Sequence, residues 1–513
     1  MLLRRFLFVL RTLLPIFGIA SACAYPGADA GPKPLQALRG QPSPMAGPML
    51  APPSSVLNAL AEAGIPDSSL GFYARRVDAR RAFAALNEEQ PFVLASTAKV
   101  VTSLAALDLL GPDYQWTTHA FAKGELVDGR LDGDLLIVGG GDAMLSSDAL
   151  RRWFAGLHEQ GLREVGGNIV LDRFAFSLSR DDLARTPRPE PDRPHHVWPD
   201  ALSLDEGVLR VEVQALPKGR TTVRMLPLLA DVQIVSAVAH GPGCRARAEL
   251  GPGAAAPGMA STSLKLTVTA TSAPDCGVQH IEFVPLSHAE FTTRAVAALW
   301  AESGGVLAGR VVGRAASAGT AAVQRDGGGD HELAFAVHSS EKLPLVVREI
   351  NKTSNNMLAR NLLLSLSPGF PLQPATLDAA RVRVQAWMRT QGLAGDDIEI
   401  DSGSGLSRLE RGKPRAMVQL LTRAWKGRSA KAFMESLPVA GVDGTLANRF
   451  QTGAASGQAF LKTGTLSDAR ALAGYVKARS GKLYAVAVMV NHPDAGRALP
   501  AIDALIEWLA REG

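Results

Sequence analysis

Ser96-Thr97-Ala98-Lys99 sets a hydroxyl and an amine three residues apart. On a helix this spacing brings both side chains to one face. At a helix start the Ser96 backbone N–H also lacks an intrahelical acceptor and points where an oxyanion would develop. A serine nucleophile needs a base, and a lysine is a base only when neutral. An ordinary lysine titrates near 10.4, so action at pH 7 requires a depression of about three units, or about 4 kcal/mol. Burial and a second cation supply that pressure, and Lys462 is the natural second cation.

Lys462-Thr463-Gly464-Thr465 follows Phe460-Leu461 and can run as a strand. Alternation then places Thr463 and Thr465 on one face. Two hydroxyls and the Lys462 charge make a receptor for a small carboxylate. Gly464 permits a close approach of backbone or ligand, and the Thr465 N–H can complete an oxyanion hole. Between these motifs stands Ser354-Asn355-Asn356, on a loop or helix start. There Ser354 can pass a proton to a leaving amine and Asn356 can orient an amide carbonyl.

A serine and lysine three apart recur by chance, and Ser339-Ser340-Glu341-Lys342 also fits. Leu333–Val337 alternates like a strand and Pro344 follows closely, so this second pair would not share a helix face. It is the conjunction of three motifs, in order, that points to a serine nucleophile.

These groups need rigid elements to hold them. Val100, Leu104 and Leu107 give a helical stripe after Ser96, stopped by Gly111-Pro112. Helical periodicity returns over 343–366, 377–390 and 416–426. Strands are expected at 70–76, 471–478 and 483–491, and a helix from Leu499 carries Ile502, Leu505, Ile506 and Leu509 on one face. That helix is expected to pack on the closing strands rather than lie on a membrane. Between the flanks the pattern changes to short strands, as in Leu209, Val211, Val213 and Leu264, Leu266, Val268. The expected fold is therefore one α/β domain formed by 48–116 and 333–513, split by a β-rich insertion at 117–332 of two nested parts. The Pro-rich stretch Arg185–Pro199 reads as an exposed loop.

Residues 1–24 read as an export signal: Arg4 and Arg5, an apolar run to Ala20, then Ala22-Cys23-Ala24. Residues 25–47 form a flexible Pro/Gly/Ala lead-in. Export points to the periplasm, with at most peripheral membrane association; lipidation at Cys23 is the weaker variant, because Ala20 stands where a lipobox has Leu. Cys244 and Cys276 either remain isolated thiols or pair, which an oxidising compartment would allow.

Much is excluded. The 513-residue chain has a net charge of +5, and three of its arginines lie in the export segment. No block of like charges follows, so a nucleic-acid partner is not expected. His331-Glu332 lacks the second His of a zinc motif, and no Gly-x-Ser-x-Gly elbow is complete. No metal and no cofactor is expected.

On these motifs the chain resembles the low-molecular-mass class C penicillin-binding proteins, the exported D-alanyl-D-alanine carboxypeptidases/endopeptidases. The likeness runs over most of 50–513. It extends to Leu131–Leu135, Gly139–Asp142, Gly167–Asp172, Asn351–Asn361, Asp401–Ser407 and Gly441–Leu446. The 254 residues between Lys99 and Ser354 are similar to that family's inserted domains and unlike a compact β-lactamase. The resemblance implies a penicillin-binding/β-lactamase-like transpeptidase domain, with an antiparallel sheet flanked by helices. It implies peptidoglycan stem peptides ending in D-Ala-D-Ala as substrate and β-lactams as covalent inhibitors. Residue by residue it implies Ser96 as nucleophile, Lys99 as base, Ser354 as proton relay and Asn356 as substrate holder, with Lys462, Thr463, Gly464 and Thr465 forming the carboxylate site. Asn355 stands where the family often has Asp, with little consequence expected. A serine β-lactamase or esterase of the same fold, and a non-catalytic envelope-binding protein, are the competing readings.

Overall fold

The computed structural model describes residues 50–185, 196–216, 220–241, 243–253, 263–272, 276–314 and 334–513; the export segment and lead-in lie outside them. Residues 49–513 form one compact unit.

Its catalytic part is built on a five-stranded antiparallel sheet made by both ends of the chain: β1 (Leu70–Arg76), β2 (Ala84–Leu86), β3 (Ala459–Leu466), β4 (Ala469–Lys477) and β5 (Leu483–Asn491), in the order β3-β4-β5-β1-β2. The two central strands, β4 and β5, are buried almost throughout, because helices cover both faces. Six helices matter here: α1 (Ser54–Glu62), α2 (Ala98–Leu109), α3 (Leu343–Lys352), α4 (Asn356–Leu364), α5 (Pro414–Trp425) and α6 (Leu499–Glu512). Strand alternation sorts the side chains between two cores. Phe72, Val486 and Val488 meet α1 and α6, where Val56, Leu60, Leu505 and Ile506 are buried. The alternate Tyr73, Ala487 and Met489 belong to a larger core with Val100, Leu104, Val347, Leu362 and Leu421, from α2 to α5. The small residues on that side let the helices come close.

α2 is buried on nearly every side from Ala98 to Leu107. A helix surrounded by other elements has no polar face to give to water, so a lysine on it is desolvated by position alone. The apolar stripe of α6 lies in the core against the sheet, as its spacing predicts.

The β-rich insertion has a seven-stranded mixed sheet. Thr117–Val127 and Arg130–Val138 form its hairpin, and Ile169–Asp172, Glu164–Val165, Val306–Leu307 and Val311–Arg314 add parallel partners. Its remaining strand is Ala336–Ser339, paired with Thr117–Ala120. This strand, which follows residue 332 in the chain, thus pairs with the first strand of the hairpin. Two three-stranded sheets complete it, one of Leu209–Leu216, Arg220–Leu226 and Val278–Phe283, the other of Val232–His240, Cys244–Pro252 and Leu264–Ser272. Cys244 and Cys276 are disulfide-bonded across the latter's end, which settles the alternative left open by spacing.

The insertion is seated on the catalytic core. Ala143, Phe176, Val197 and Val284 share the cluster of α2 and α4. The stretch read as an exposed loop is corrected in its described part: His196 and Val197 are buried, and the Val197 carbonyl accepts a hydrogen bond from Arg360 Nη1 at 2.9 Å. A proline-rich composition disfavours regular structure without preventing burial when the freed carbonyls find donors.

Candidate active site

Ser96 sits in a single 3₁₀ turn, Ala95–Thr97, that runs directly into α2. Thr97 Oγ1 closes the turn by donating to the Leu94 carbonyl at 2.6 Å. Ala95 has φ +46°, a left-handed conformation that side chains rarely adopt, immediately before the serine. One turn further, Lys99 Nζ donates to Ser96 Oγ at 3.0 Å, to Asn356 Oδ1 at 2.6 Å and to the Ser404 carbonyl. Lys99 is wholly buried. Burial holds its amine well below the ordinary lysine value, and the charges of Lys462 and Arg360 push the same way, against an opposing pull from Glu410.

Ser354 lies at the break between α3 and α4, with φ +61°. The periodicity of 343–366 is thus interrupted at the motif, which turns the Ser354 hydroxyl toward β3. Lys462 Nζ donates to Ser354 Oγ at 2.9 Å and to its neighbour's carbonyl, that of Thr463, at 3.0 Å. Burial alone lowers the Lys462 amine to about 7. Asn355 caps α4, accepting from the Leu358 N–H at 3.0 Å, and donates from Nδ2 to Glu206 Oε2 at 2.8 Å. Asn356, the first residue of α4, faces Lys99.

β3 passes edge-on along the serine turn. A Cβ at Gly464 would lie 2.9 Å from the Leu94 carbonyl and 3.1 Å from Ala95 Cβ, so this crossing needs glycine. Lys462 and Gly464 face the turn; Thr463 and Thr465 take the alternate face, half-buried and exposed respectively. Thr463 Oγ1 shares a 2.7 Å hydrogen bond with Thr445 Oγ1. The buried Lys462 therefore acts on Ser354, while the Thr463 and Thr465 hydroxyls form the more accessible face.

The structure thus brings Ser96, Lys99, Ser354, Asn356, Lys462 and Gly464 into one connected set, with Thr463 and Thr465 along its rim. The second serine–lysine pair is not assembled: Ser339 ends an insertion strand, and exposed Lys342 pairs with Asp113 at 2.8 Å. Sequence reasoning assigned no role to Thr445, Ser404, Arg360 or Glu410. Ser404 and Thr445 lie in the Gly-spaced polar runs 401–407 and 441–446, but nothing local shows that the first turns back onto the Ser96 turn and the second onto Thr463. Lys352 anchors the second loop by hydrogen bonds to both Asp443 carboxylate oxygens, at 2.7 and 2.6 Å. Among the described residues no group of three or more His, Cys, Asp and Glu is placed to hold a metal, and no helix is long and apolar enough to cross a membrane.

The chain is similar to known proteins in sequence and in fold. The chain is 30% identical over 440 residues to a D-alanyl-D-alanine carboxypeptidase of Actinomadura sp. strain R39, covering 81% of this chain and 76% of the relative. It is 25% identical over 454 residues to the D-alanyl-D-alanine carboxypeptidase DacB of Haemophilus influenzae, covering 84% and 86%. In fold it is similar to the crystal structure of penicillin binding protein 4 from Haemophilus influenzae, with a TM-score of 0.68 and 22% identity over 88% of this chain and 99% of that one. The model of the D-Ala-D-Ala carboxypeptidase 3 (S13) family matches residues 54–512, the whole span that contributes the serine turn, the α3–α4 break and β3. A match of that extent, over a site assembled from all three motifs, shows that this chain belongs to the D-Ala-D-Ala carboxypeptidase 3 (S13) family.

Proposed function

We propose that this chain is an exported serine D,D-peptidase that cleaves peptidoglycan stem peptides, as carboxypeptidase, endopeptidase or both, through an acyl-Ser96 intermediate. The observation that carries this is the 3.0 Å contact between Ser96 Oγ and the wholly buried Lys99 amine, lowered by burial and by the charge of Lys462. Neutral Lys99 takes the Ser96 proton as Oγ forms the ester bond to the penultimate residue's carbonyl carbon. The Ser96 and Thr465 backbone N–H groups are the candidate donors to the oxyanion. The peptide C–N bond then breaks, and the leaving amine takes a proton relayed through Ser354 from the lysine pair. Water hydrolyses the ester. Thr463, Thr465 and the charge of Lys462 receive the terminal carboxylate, and Asn356 holds both Lys99 and the substrate amide.

A β-lactam offers the same serine a strained amide, so it is a covalent inhibitor in this reading. The β-lactam-complexed form of the Haemophilus influenzae penicillin binding protein 4, with a TM-score of 0.62, supports it. Residues 1–24 would deliver the enzyme to the periplasm, and a mature N-terminus at Tyr25 is the expected mass-spectrometric result.

The test is intact mass after a fluorescent penicillin, with release of D-Ala from a pentapeptide muropeptide. Wild type is expected to carry one long-lived adduct and to release D-Ala, and Ser96→Ala to do neither. Rapid adduct turnover would favour a β-lactamase. Folded protein that neither binds nor cleaves would favour an envelope-binding role.

A further inference from the structure

Glu410 is wholly buried beside this site, and the chemistry proposed above does not use it. It makes no ion pair with a side chain among the described residues. Its carboxylate is instead filled by the loop 401–405. Oε1 accepts the backbone N–H groups of Ser402 at 3.1 Å and Gly403 at 2.6 Å, with Asp401 at 3.4 Å. Oε2 accepts the Gly405 N–H at 2.7 Å and the Ser402 hydroxyl at 3.1 Å. A short loop rarely aims so many N–H groups at one point, and an anion at that point holds them there.

What the clamped loop touches is the serine–lysine turn. The Ser404 carbonyl accepts from Lys99 Nζ, and the Gly403 carbonyl accepts from Thr102 Oγ1 at 2.8 Å, one turn further along α2. Gly405 lies so close that a Cβ there would sit 1.9 Å from the Ala95 carbonyl and 2.6 Å from the Ser96 nitrogen. Glu410 also holds the turn from its other side, its own carbonyl accepting the Leu94 N–H at 2.9 Å.

We infer that Glu410 is the positioning residue of the Ser96–Lys99 pair: its carboxylate shapes the 401–405 loop so that the Ser404 carbonyl orients the Lys99 amine toward Ser96, and its charge opposes those of Lys462 and Arg360 beside that amine. This rests on the reading of Ser96 as nucleophile and Lys99 as base. The charged groups around Glu410 are Asp401, Arg360 and Lys99; those around Lys99 are Lys462, Arg360 and Glu410. Burial and Asp401 raise the Glu410 carboxyl while the loop hydrogen bonds lower it; when charged it is the one acid acting on Lys99 among the described residues, against two cations, so removing its charge lowers the Lys99 amine further.

The experiment measures the second-order rate of acylation by a penicillin from pH 5 to 9 in wild type, Glu410→Gln and Glu410→Asp, with folding followed by circular dichroism. Glu410→Gln loses the charge and one strong acceptor; its acylation is expected to fall about 10- to 100-fold, a range set by misplacement of a catalytic amine, with the acidic limb moving to lower pH. Glu410→Asp keeps the charge but withdraws it from the loop; the rate is expected to fall similarly with the limb unmoved. Should Glu410→Gln fail to fold, Glu410→Asp alone decides, since wild-type acylation in it overturns the inference. A slow Glu410→Gln enzyme whose limb stays at the wild-type pH overturns the electrostatic half and leaves a scaffold role. Wild type that is never acylated, or Ser96→Ala that is, defeats the underlying reading instead.

Discussion

Lys99 and Lys462 lie in one buried site, each donating a hydrogen bond to a serine, Ser96 at 3.0 Å and Ser354 at 2.9 Å. Neither has an acidic side chain as hydrogen-bond partner among the described residues. Burial lowers both amines, and the charge of Lys462 lowers Lys99 further, which favours Lys99 as the base.

The pH dependence follows from that pair. As pH falls, Lys99 gains a proton and acylation is lost; because burial and the charge of Lys462 hold its amine well below the ordinary value, acylation is expected to persist below the pH at which an ordinary lysine protonates. As pH rises through about 7, Lys462 in the free enzyme loses its charge. We therefore expect kcat/KM for a carboxylate-terminated peptide to decline above about pH 7. The corresponding limb of kcat should lie higher, because a bound carboxylate favours the charged amine. Coincident alkaline limbs in stopped-flow and steady-state profiles would refute this role of Lys462.

Function here opposes stability. With Lys462 lowered from the ordinary value to about 7, the folded state binds fewer protons than the unfolded state between pH 7 and about 10.5. Stability from this group therefore rises with pH across that window, and the burial penalty approaches about 5 kcal/mol below pH 7. Lys462→Met is expected to be inactive yet more stable than wild type by about 1–3 kcal/mol at pH 7, after loss of two hydrogen bonds. The gain should shrink by pH 10 in urea titrations. A gain that is constant with pH would point to packing alone.

Gly405 tests the closeness of loop and turn. Its φ is +87°, and an added Cβ would collide with the backbone of Ala95 and Ser96. Gly405→Ala is expected to cost about 2–4 kcal/mol of stability and to slow penicillin acylation at least about 100-fold. Thermal melts and adduct kinetics check both.

Asn355 matters more than its chemical similarity to Asp suggests. It donates to Glu206, whose carboxyl burial already raises, with Glu349, Asp205 and Glu282 adding to the effect. Asn355→Asp would set carboxylate against carboxylate, so the folded state would hold a proton that the unfolded state releases. Stability of that variant should then fall, relative to wild type, as pH rises from about 4.5 towards 7. Equal stability of the two proteins at pH 7 in urea would show that Glu206 is not fixed against residue 355.

The Cys244–Cys276 disulfide closes a separation of 32 residues in the insertion. Replacing both by Ser is expected to lower stability by about 3–4 kcal/mol in the chain-entropy model while leaving acylation at the wild-type rate. A change in acylation would reveal coupling between that end of the insertion and Ser96.

Local sequence determined the chemistry of the site and the elements that carry it. A serine and lysine three apart on a helical stripe, a Lys-Thr-Gly-Thr strand and a polar break before Met357 are short-range patterns, and backbone periodicity decides which side chains share a face. Tertiary structure decided which groups meet. Asp401–Gly405 and Gly441–Leu446 read only as glycine-spaced loops, because nothing in a loop's own residues encodes the surface it folds against. That Glu410 draws one loop onto Ser96, that Thr445 reaches Thr463, and that Lys462 is buried against Ser354 all depend on contacts between separate elements, which local periodicity does not encode. Desolvation, which turns an ordinary lysine into a base, belongs to the packed molecule, since it arises only when α2 is enclosed on every side.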